Sequence, residues 1–267
     1  MTGAAAKTTD SRRTRARTDW SGWWRRWERQ QTGYLPLREA RFDAMFTLLE
    51  VTQPPKFRAV DLASGPGGLS ERLLRRFPSS QVEAVDLDPV LLRLGREAVG
   101  TARGRLTWID GDLRHDAWTG ALRARPVDAV LSTTALHWLN RPELRRLYST
   151  VHGVLRPGGI FENGDAMAYP RRSPGMNRAA GAVSARATGA YRGRTGSESW
   201  EDWWAAIARE PALSRELAAR AGRIPQAHRR EPKVPLRAHE ALLRAAGFRE
   251  VGTIWSHFNN RVLAAIA

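Results

Sequence analysis

The stretch "AVDLASGPGGLS", residues 59 to 70, passes from an apolar run through a glycine-rich loop into a helix-like run. A loop of this kind brings backbone close to a nucleotide-bearing ligand at the start of a helix. The dinucleotide fingerprint G-x-G-x-x-G uses its third glycine for close helix packing. Here Gly65 and Gly67 supply the first two and Ser70 stands in the third, which weakens a nicotinamide or flavin reading. A second pattern, acid, x, small, x, Gly, x, Gly, is met by Asp61, Ala63, Gly65 and Gly67. An acid at its head suits a ligand with an amino group near the loop, which a pyrophosphate would not reward. The next apolar run ends at Asp86, where a carboxylate can accept from both ribose hydroxyls.

These residues need elements to hold them. From residue 58 to about residue 162 short apolar runs ("RAVDLAS", "QVEAVDL", "RLTWIDGD", "VDAVLSTT", "GGIFENG") alternate with helical ones ("LSERLLRRF", "PVLLRLGREAV", "PELRRLYSTVHGVL"). Such alternation predicts βαβ units, a parallel sheet and a doubly wound, Rossmann-like α/β fold, with ligands outside the carboxyl ends of the strands. Before it, residues 19–52 read as two helices parted at Gly33 to Pro36, a helical lid on which Trp20, Trp23, Trp24 and Trp27 share one face. Between about residue 165 and residue 235 the rhythm lapses into a Gly-, Arg- and Pro-rich region. It then carries one helical stretch, "ESWEDWWAAIAREPALSRELAARAG", with Trp200, Trp203 and Trp204 on one face; the region reads as an inserted helical cap. A last helix closed by Gly247 leads to two apolar runs joined across Asn259 and Asn260, an antiparallel C-terminal hairpin. The chain thus divides into a basic, disordered tail over residues 1–18 and a single domain over 19–267.

Composition narrows the function. A chain of 267 residues, 42% hydrophobic, can bury a full core. With no cysteine there is no disulfide, thiolate metal site or cysteine nucleophile. The N-terminus lacks the apolar centre of a secretory signal and no run is long enough to span a membrane, so a soluble cytoplasmic protein is expected. The net charge of +16 raises a nucleic-acid partner. Yet the charge is arginine scattered through every segment, with lysine only at Lys7, Lys56 and Lys233. It reads as solvated helix faces, "SRRTRART" in the tail being the one cluster, so a nucleic-acid partner is disfavoured without being excluded.

The remaining strand ends sharpen the choice. "IDGDL" sets Asp112 after the third strand, "STTALHWL" follows the fourth and "VLRPGG" leads into the fifth. Together with "VDLASGPGG", "AVDLDP", "LLRAAGF" and the closing hairpin, this ordered series resembles the class I S-adenosylmethionine-dependent methyltransferases over residues 58–162 and from about residue 236. Within the class it is distantly similar to the small-molecule branch that includes trans-aconitate-type enzymes. The resemblance implies S-adenosylmethionine as cofactor, its methionine portion held by Asp61 and the backbone of Ala63, Ser64, Gly65 and Gly67. It implies that Asp86 holds the ribose, that Leu87 packs on adenine, that Asp112 and Leu113 receive the adenine edge, and that Thr133 lies beside the methionine portion. Members also use an aromatic and an arginine from the N-terminal helices, for which Tyr34, Arg38 and Arg41 are candidates, an arginine being suited to fork onto the cofactor carboxylate. Ala63 departs from the usual glycine. Read without the resemblance, Asp86 and Asp112 could merely cap helices, a task for which Asp88 before Pro89 is better placed.

An activated sulfonium methyl needs the acceptor brought in line at about 3–3.5 Å and water kept out, and requires no metal. The implied acceptor is a small molecule. If it is a hydroxyl, a base helps, and His137 after the fourth strand is the first candidate, with Glu162 and Asp165 weaker ones. His137 could equally be a packed helix residue, and the tryptophan faces either core or walls of the acceptor pocket. Two other classes compete. A nucleic-acid methyltransferase lacks support because "STTALHW" stands where an Asn or Asp, Pro, Pro, aromatic run is usual, and the absence of cysteine removes the covalent cytosine route. A non-catalytic cofactor-binding protein stays open.

Overall fold

The computed structural model describes residues 18–35, 37–224 and 232–267, so the basic tail, except Thr18, and part of the cap lie outside the described residues. Among them are α1 (Trp20–Tyr34), α2 (Arg38–Thr52), β1 (Arg58–Leu62), α3 (Gly68–Arg76), β2 (Gln81–Asp86), α4 (Pro89–Ala98), β3 (Leu106–Asp110), β4 (Val127–Thr133), α5 (Arg141–Val154), β5 (Leu155–Ala166), α6 (Pro174–Thr195), α7 (Trp200–Ile207), α8 (Ser214–Arg223), α9 (Leu236–Ala245), β6 (Glu250–His257) and β7 (Asn260–Ile266). Seven strands form one sheet in the order β3-β2-β1-β4-β5-β7-β6. The first five run parallel, and β7 inserts antiparallel between β5 and β6. The doubly wound, mostly parallel sheet with a C-terminal hairpin is as the sequence predicts.

The central strands are apolar on both faces because helices cover both. Phe42, Met45 and Leu49 of α2 and Leu69 and Leu73 of α3 pack on Ala59, Val82, Ala84 and Leu131. On the other face Leu147, Tyr148 and Val151 of α5 and Leu242 and Leu243 of α9 meet Val60, Val130 and Phe161. Local signals start the helices where the chain needs them. Asp88 accepts from Val90 N at 3.0 Å with Pro89 in the first turn of α4. Asn140 and Glu143 form a capping box on α5.

The structure departs from the sequence reading in the cap and the hairpin. The region read as a lapse holds α6, a helix of 22 residues with only Ala180 buried. Its glycines and its lack of an apolar stripe hid it, since a helix that buries almost nothing leaves no 3.6-residue signature. The stretch read as one helix breaks at Pro211, which cannot donate to the ladder, into α7 and α8. The hairpin turns at Phe258 and Asn259, with Phe258 in the left-handed region at φ +55° and Asn260 already paired with His257. The ends of the cap meet in a bridge between Ala168 and Pro235.

The two tryptophan faces pack on each other. Trp27 lies 4.8 Å from Trp203 and 5.4 Å from Trp200, ring centre to ring centre, and the group closes over Val90, Leu91 and Leu94 of α4. The lid and cap thereby share a core beside the glycine loop.

Candidate active site

All the strand ends that the sequence singled out lie at one edge of the sheet, because β1 to β4 run parallel. After β1 the chain turns through Ala63, Gly65 and Gly67 at φ +53°, +55° and +83°. Two of these are glycines for the expected reason; Ala63 carries a left-handed backbone that costs an L residue about 1–2 kcal/mol. Close approach also demands Gly67, where a Cβ would sit 2.5 Å from the Trp108 ring.

Ser70, the residue that breaks the dinucleotide fingerprint, donates its hydroxyl to Asp61 Oδ2 at 2.6 Å. Asp61 Oδ1 is buried without a partner among the described residues. Asp86 accepts Gly65 N at 2.7 Å through Oδ2 and Asp88 N at 2.7 Å through Oδ1, so it fastens the glycine loop to the end of β2. Burial pushes both carboxyls up to about 7, Asp86 adding to the effect on Asp61 and Asp88 to that on Asp86.

That shift has a sign. Between the ordinary aspartate value of 3.8 and about 7 the folded chain binds more protons than the unfolded one, so stability is greatest at the acidic end and is lost as pH rises through about 7. Glu162 acts in the same sense, while His239, lowered by burial, opposes it below its ordinary 6.5. Denaturant unfolding of the ligand-free chain is expected to give a larger free energy near pH ~5.5 than near pH ~8, and the reverse order would refute the assignment.

A second cluster spans α2, β4, β5 and β7. Arg41, fully buried, donates to the Thr133 hydroxyl at 2.5 Å, to the Thr134 hydroxyl, and to Asn260 Oδ1 at 3.0 Å. All three acceptors are neutral and Arg41 Nε has no partner among the described residues. Burial draws its pKa down to about 10, against the pull of Asp165. Thr134 is held at φ +57°, strain for a β-branched residue, of the kind that collects at functional sites. Beyond it a 3₁₀ turn, Leu136–Trp138, presents His137 to Asp165. The ring Nδ1 lies 2.7 Å from Asp165 Oδ1, and the His137 backbone N–H donates to Oδ2 at 2.9 Å. Burial alone would raise the Asp165 carboxyl; the His137 ring, Arg41 and the Ala166 N–H outweigh it and hold Asp165 below the usual carboxylate range.

Other candidates are engaged elsewhere. Arg38 forks onto Glu28 at 2.9 and 3.0 Å. Asp112 is forked by Arg114 at 2.6 to 3.0 Å. Tyr34 is exposed, Leu87 and Thr133 are half-buried, and Leu113 joins the core. Glu162 lies in register with Leu131, which packs beneath α2, and both of its oxygens are buried without partners among the described residues. Burial raises its pKa well above the ordinary value. Glu162→Met is expected to raise the unfolding free energy at neutral pH by about 1–3 kcal/mol, since it removes unsatisfied buried polar atoms at similar volume. Methyl transfer should be unchanged, and a rate loss would return Glu162 to the chemistry.

Sequence reading missed Ser70, Thr134, Asn260 and Trp24, whose indole donates to Pro66 O at 3.0 Å over the glycine loop. Ser70 left a signal as the odd residue in the fingerprint, Trp24 as a member of the tryptophan face and Asn260 as a turn residue; Thr134 left none.

A doubly wound sheet with a glycine loop after β1 and acids after β2 and β3 is the architecture of class I S-adenosylmethionine-dependent methyltransferases. Residues 59–159 match the family model described as a methyltransferase domain, so the chain carries that domain. It is 33% identical over 136 residues to a trans-aconitate 2-methyltransferase of Azoarcus sp., covering 51% of this chain and 49% of that protein. It is 29% identical over 128 residues to a malonyl-[acyl-carrier protein] O-methyltransferase of Geobacter sulfurreducens, covering 48% and 45%. The chain spans about half the length of the curated relatives it matches. Among solved structures the fold is shared with an O-methyltransferase family protein from Burkholderia thailandensis (TM-score 0.51, 18% identity, 91% of this chain and 68% of that one). It is shared also with the CurJ carbon methyltransferase (TM-score 0.53, 15% identity, 84% and 52%). No helix of the described residues is long and apolar enough to cross a membrane.

The residues present fit the cofactor of that class. Asp61 Oδ1 is an orphaned acceptor suited to an ammonium group, and each Asp86 oxygen keeps acceptor capacity beyond the one N–H it holds.

Proposed function

We propose that this protein transfers a methyl group from S-adenosylmethionine to an oxygen of a small-molecule acceptor, with His137 as general base and Asp165 as its positioning residue. The observation that carries the reading is the 2.7 Å contact between His137 Nδ1 and Asp165 Oδ1 at the same sheet edge as the glycine loop. When bound, the cofactor supplies an activated methyl group. Asp61 and the Ala63 to Gly67 backbone receive its methionine portion, and Asp86 its ribose. Of the arginine candidates Arg41 has donor capacity left, at Nε, to hold its carboxylate. Asp165 fixes the ring so that Nε2, on the far side, takes the acceptor proton, and the acidic edge favours a cationic ligand. Relatives named for trans-aconitate and for malonyl-[acyl-carrier protein] O-methylation support an oxygen acceptor; a hydroxyl gives its proton to His137, whereas a carboxylate, already ionised, needs no base. The reading is tested by radiolabelled methyl transfer to a panel of hydroxyl and carboxyl compounds. Labelling only of nitrogen or carbon acceptors, or of RNA, would overturn it, and cofactor binding with no transfer to any compound would favour a non-catalytic binder.

A further inference from the structure

The two edges of the parallel sheet differ in how their charges are matched. Its carboxyl edge gathers Asp61, Asp86, Asp88, Asp110 and Asp112. Segments 53–58, 99–105 and 122–126, which lead into β1, β3 and β4 at the other edge, carry Lys56, Arg58, Arg103, Arg105, Arg123 and Arg125 and no carboxylate. Parallel strands bring these leading segments and their cations to one end of the sheet, whereas at the other end Arg114, Arg220 and Arg223 are paired with Asp112, Asp88 and Asp110.

Two cavities adjoin there, sharing Arg58 and Gln81. One, of about 120 Å³, is lined by Arg58, Arg105, Arg123, Thr107 and Glu83; the other, of about 270 Å³, by Lys56, Arg58 and Asp128. Of the two carboxylates, Asp128 is paired with the Arg156 guanidinium, while Glu83 is held through one oxygen by a backbone N–H and keeps its charge, against four cationic side chains. Glu83 Oε1 accepts Arg123 N at 2.8 Å, while Asp128 accepts Arg58 N at 2.8 Å and Arg156 Nε at 2.7 Å. Arg105 gives one N–H to Leu74 O at 3.2 Å and Arg58 one to Pro126 O at 2.5 Å, contacts that hold the guanidinium groups in place and leave most of their donors over.

Guanidinium groups lining one cavity beside threonine and glutamine side chains suit a tetrahedral oxyanion. The volumes of about 120 Å³ on one side of Arg58 and about 270 Å³ on the other each admit a phosphate group. Phe57, the aromatic side chain at this groove, is 2% exposed, so a base finds no stacking surface there. We propose that the groove binds phosphate esters and accepts two successive phosphate groups, one on each side of Arg58. This site is independent of methyl transfer. The phosphates come either from a free oligophosphate or from a nucleic-acid backbone.

Calorimetric titration with pyrophosphate and with a short RNA duplex, each at low and high salt, tests the proposal. The variants are Arg105→Glu combined with Arg123→Glu and, where that protein fails to fold, Arg123→Ala combined with Lys56→Ala, the second pair being on exposed positions. Saturable pyrophosphate binding, weakened about a hundredfold by the double reversal, is the expected result. Duplex binding lost in the same variant assigns the nucleic-acid source, and pyrophosphate binding alone assigns the free one. The proposal is overturned if neither probe binds at low salt, or if the variants bind as the parent does, which would lodge the affinity elsewhere, such as in the basic tail. S-Adenosylmethionine binding is expected to be equal in all of them.

Discussion

His137→Ala is expected to lower kcat for a hydroxyl acceptor about 10²–10⁴-fold, with cofactor affinity preserved within about twofold. A base contributes in proportion to how well it is held, and His137 is held twice by one carboxylate, through its ring and its backbone N–H. Asp165→Asn should therefore lower kcat more than it raises KM, because the amide can present a donor to Nδ1 and so favour the wrong tautomer. The decisive readout is the pair. If Asp165 acts through His137, the combined variant is no slower than His137→Ala alone, whereas a merely structural role for Asp165 adds a further loss. A His137→Ala protein as fast as the parent would mean that the acceptor needs no base from the enzyme.

Asp86→Ala should weaken S-adenosylmethionine binding by about a hundredfold or more, the loss of two hydrogen bonds to a charged acceptor. It also strips the acceptors from Gly65 N and Asp88 N, so the chain itself should lose about 2–4 kcal/mol of stability. Asp86→Asn separates the two effects, since the amide oxygen can still accept one of these N–H groups while the charge is gone. Burial places the Asp86 carboxyl at about 7, so affinity in the unmodified protein should fall as pH drops through that value and the carboxyl turns from acceptor to donor. Unchanged affinity in Asp86→Ala, measured on protein shown to be folded, would remove Asp86 from the ribose site.

Much of the fold was legible because its determinants are local. The short apolar runs of β1, β2 and β4, the Asp88-Pro89 cap and the glycines of the loop each declare their conformation within a few residues. Position was legible to the same extent: parallel strands carry the ends of β1, β2 and β4 to one edge, and that Asp61, Asp86, Thr133 and His137 lie there follows from strand order. α6 was not, because it buries one residue, and propensity without a packed face leaves no pattern.

What sequence alone decided, then, is the βαβ frame and the edge at which chemistry gathers. Partnership was left to the tertiary structure. Arg38 and Arg41 stand one helical turn apart and look equivalent, yet Glu28 takes the first and neutral hydroxyls the second. Asp165 lies 28 residues from His137 and becomes its partner only when β5 pairs beside β4. The same side-by-side placement of strands brings Lys56, Arg58, Arg105 and Arg123 to one end of the sheet. Contacts of that separation depend on which strands lie side by side, a property of the whole chain that no local stretch encodes.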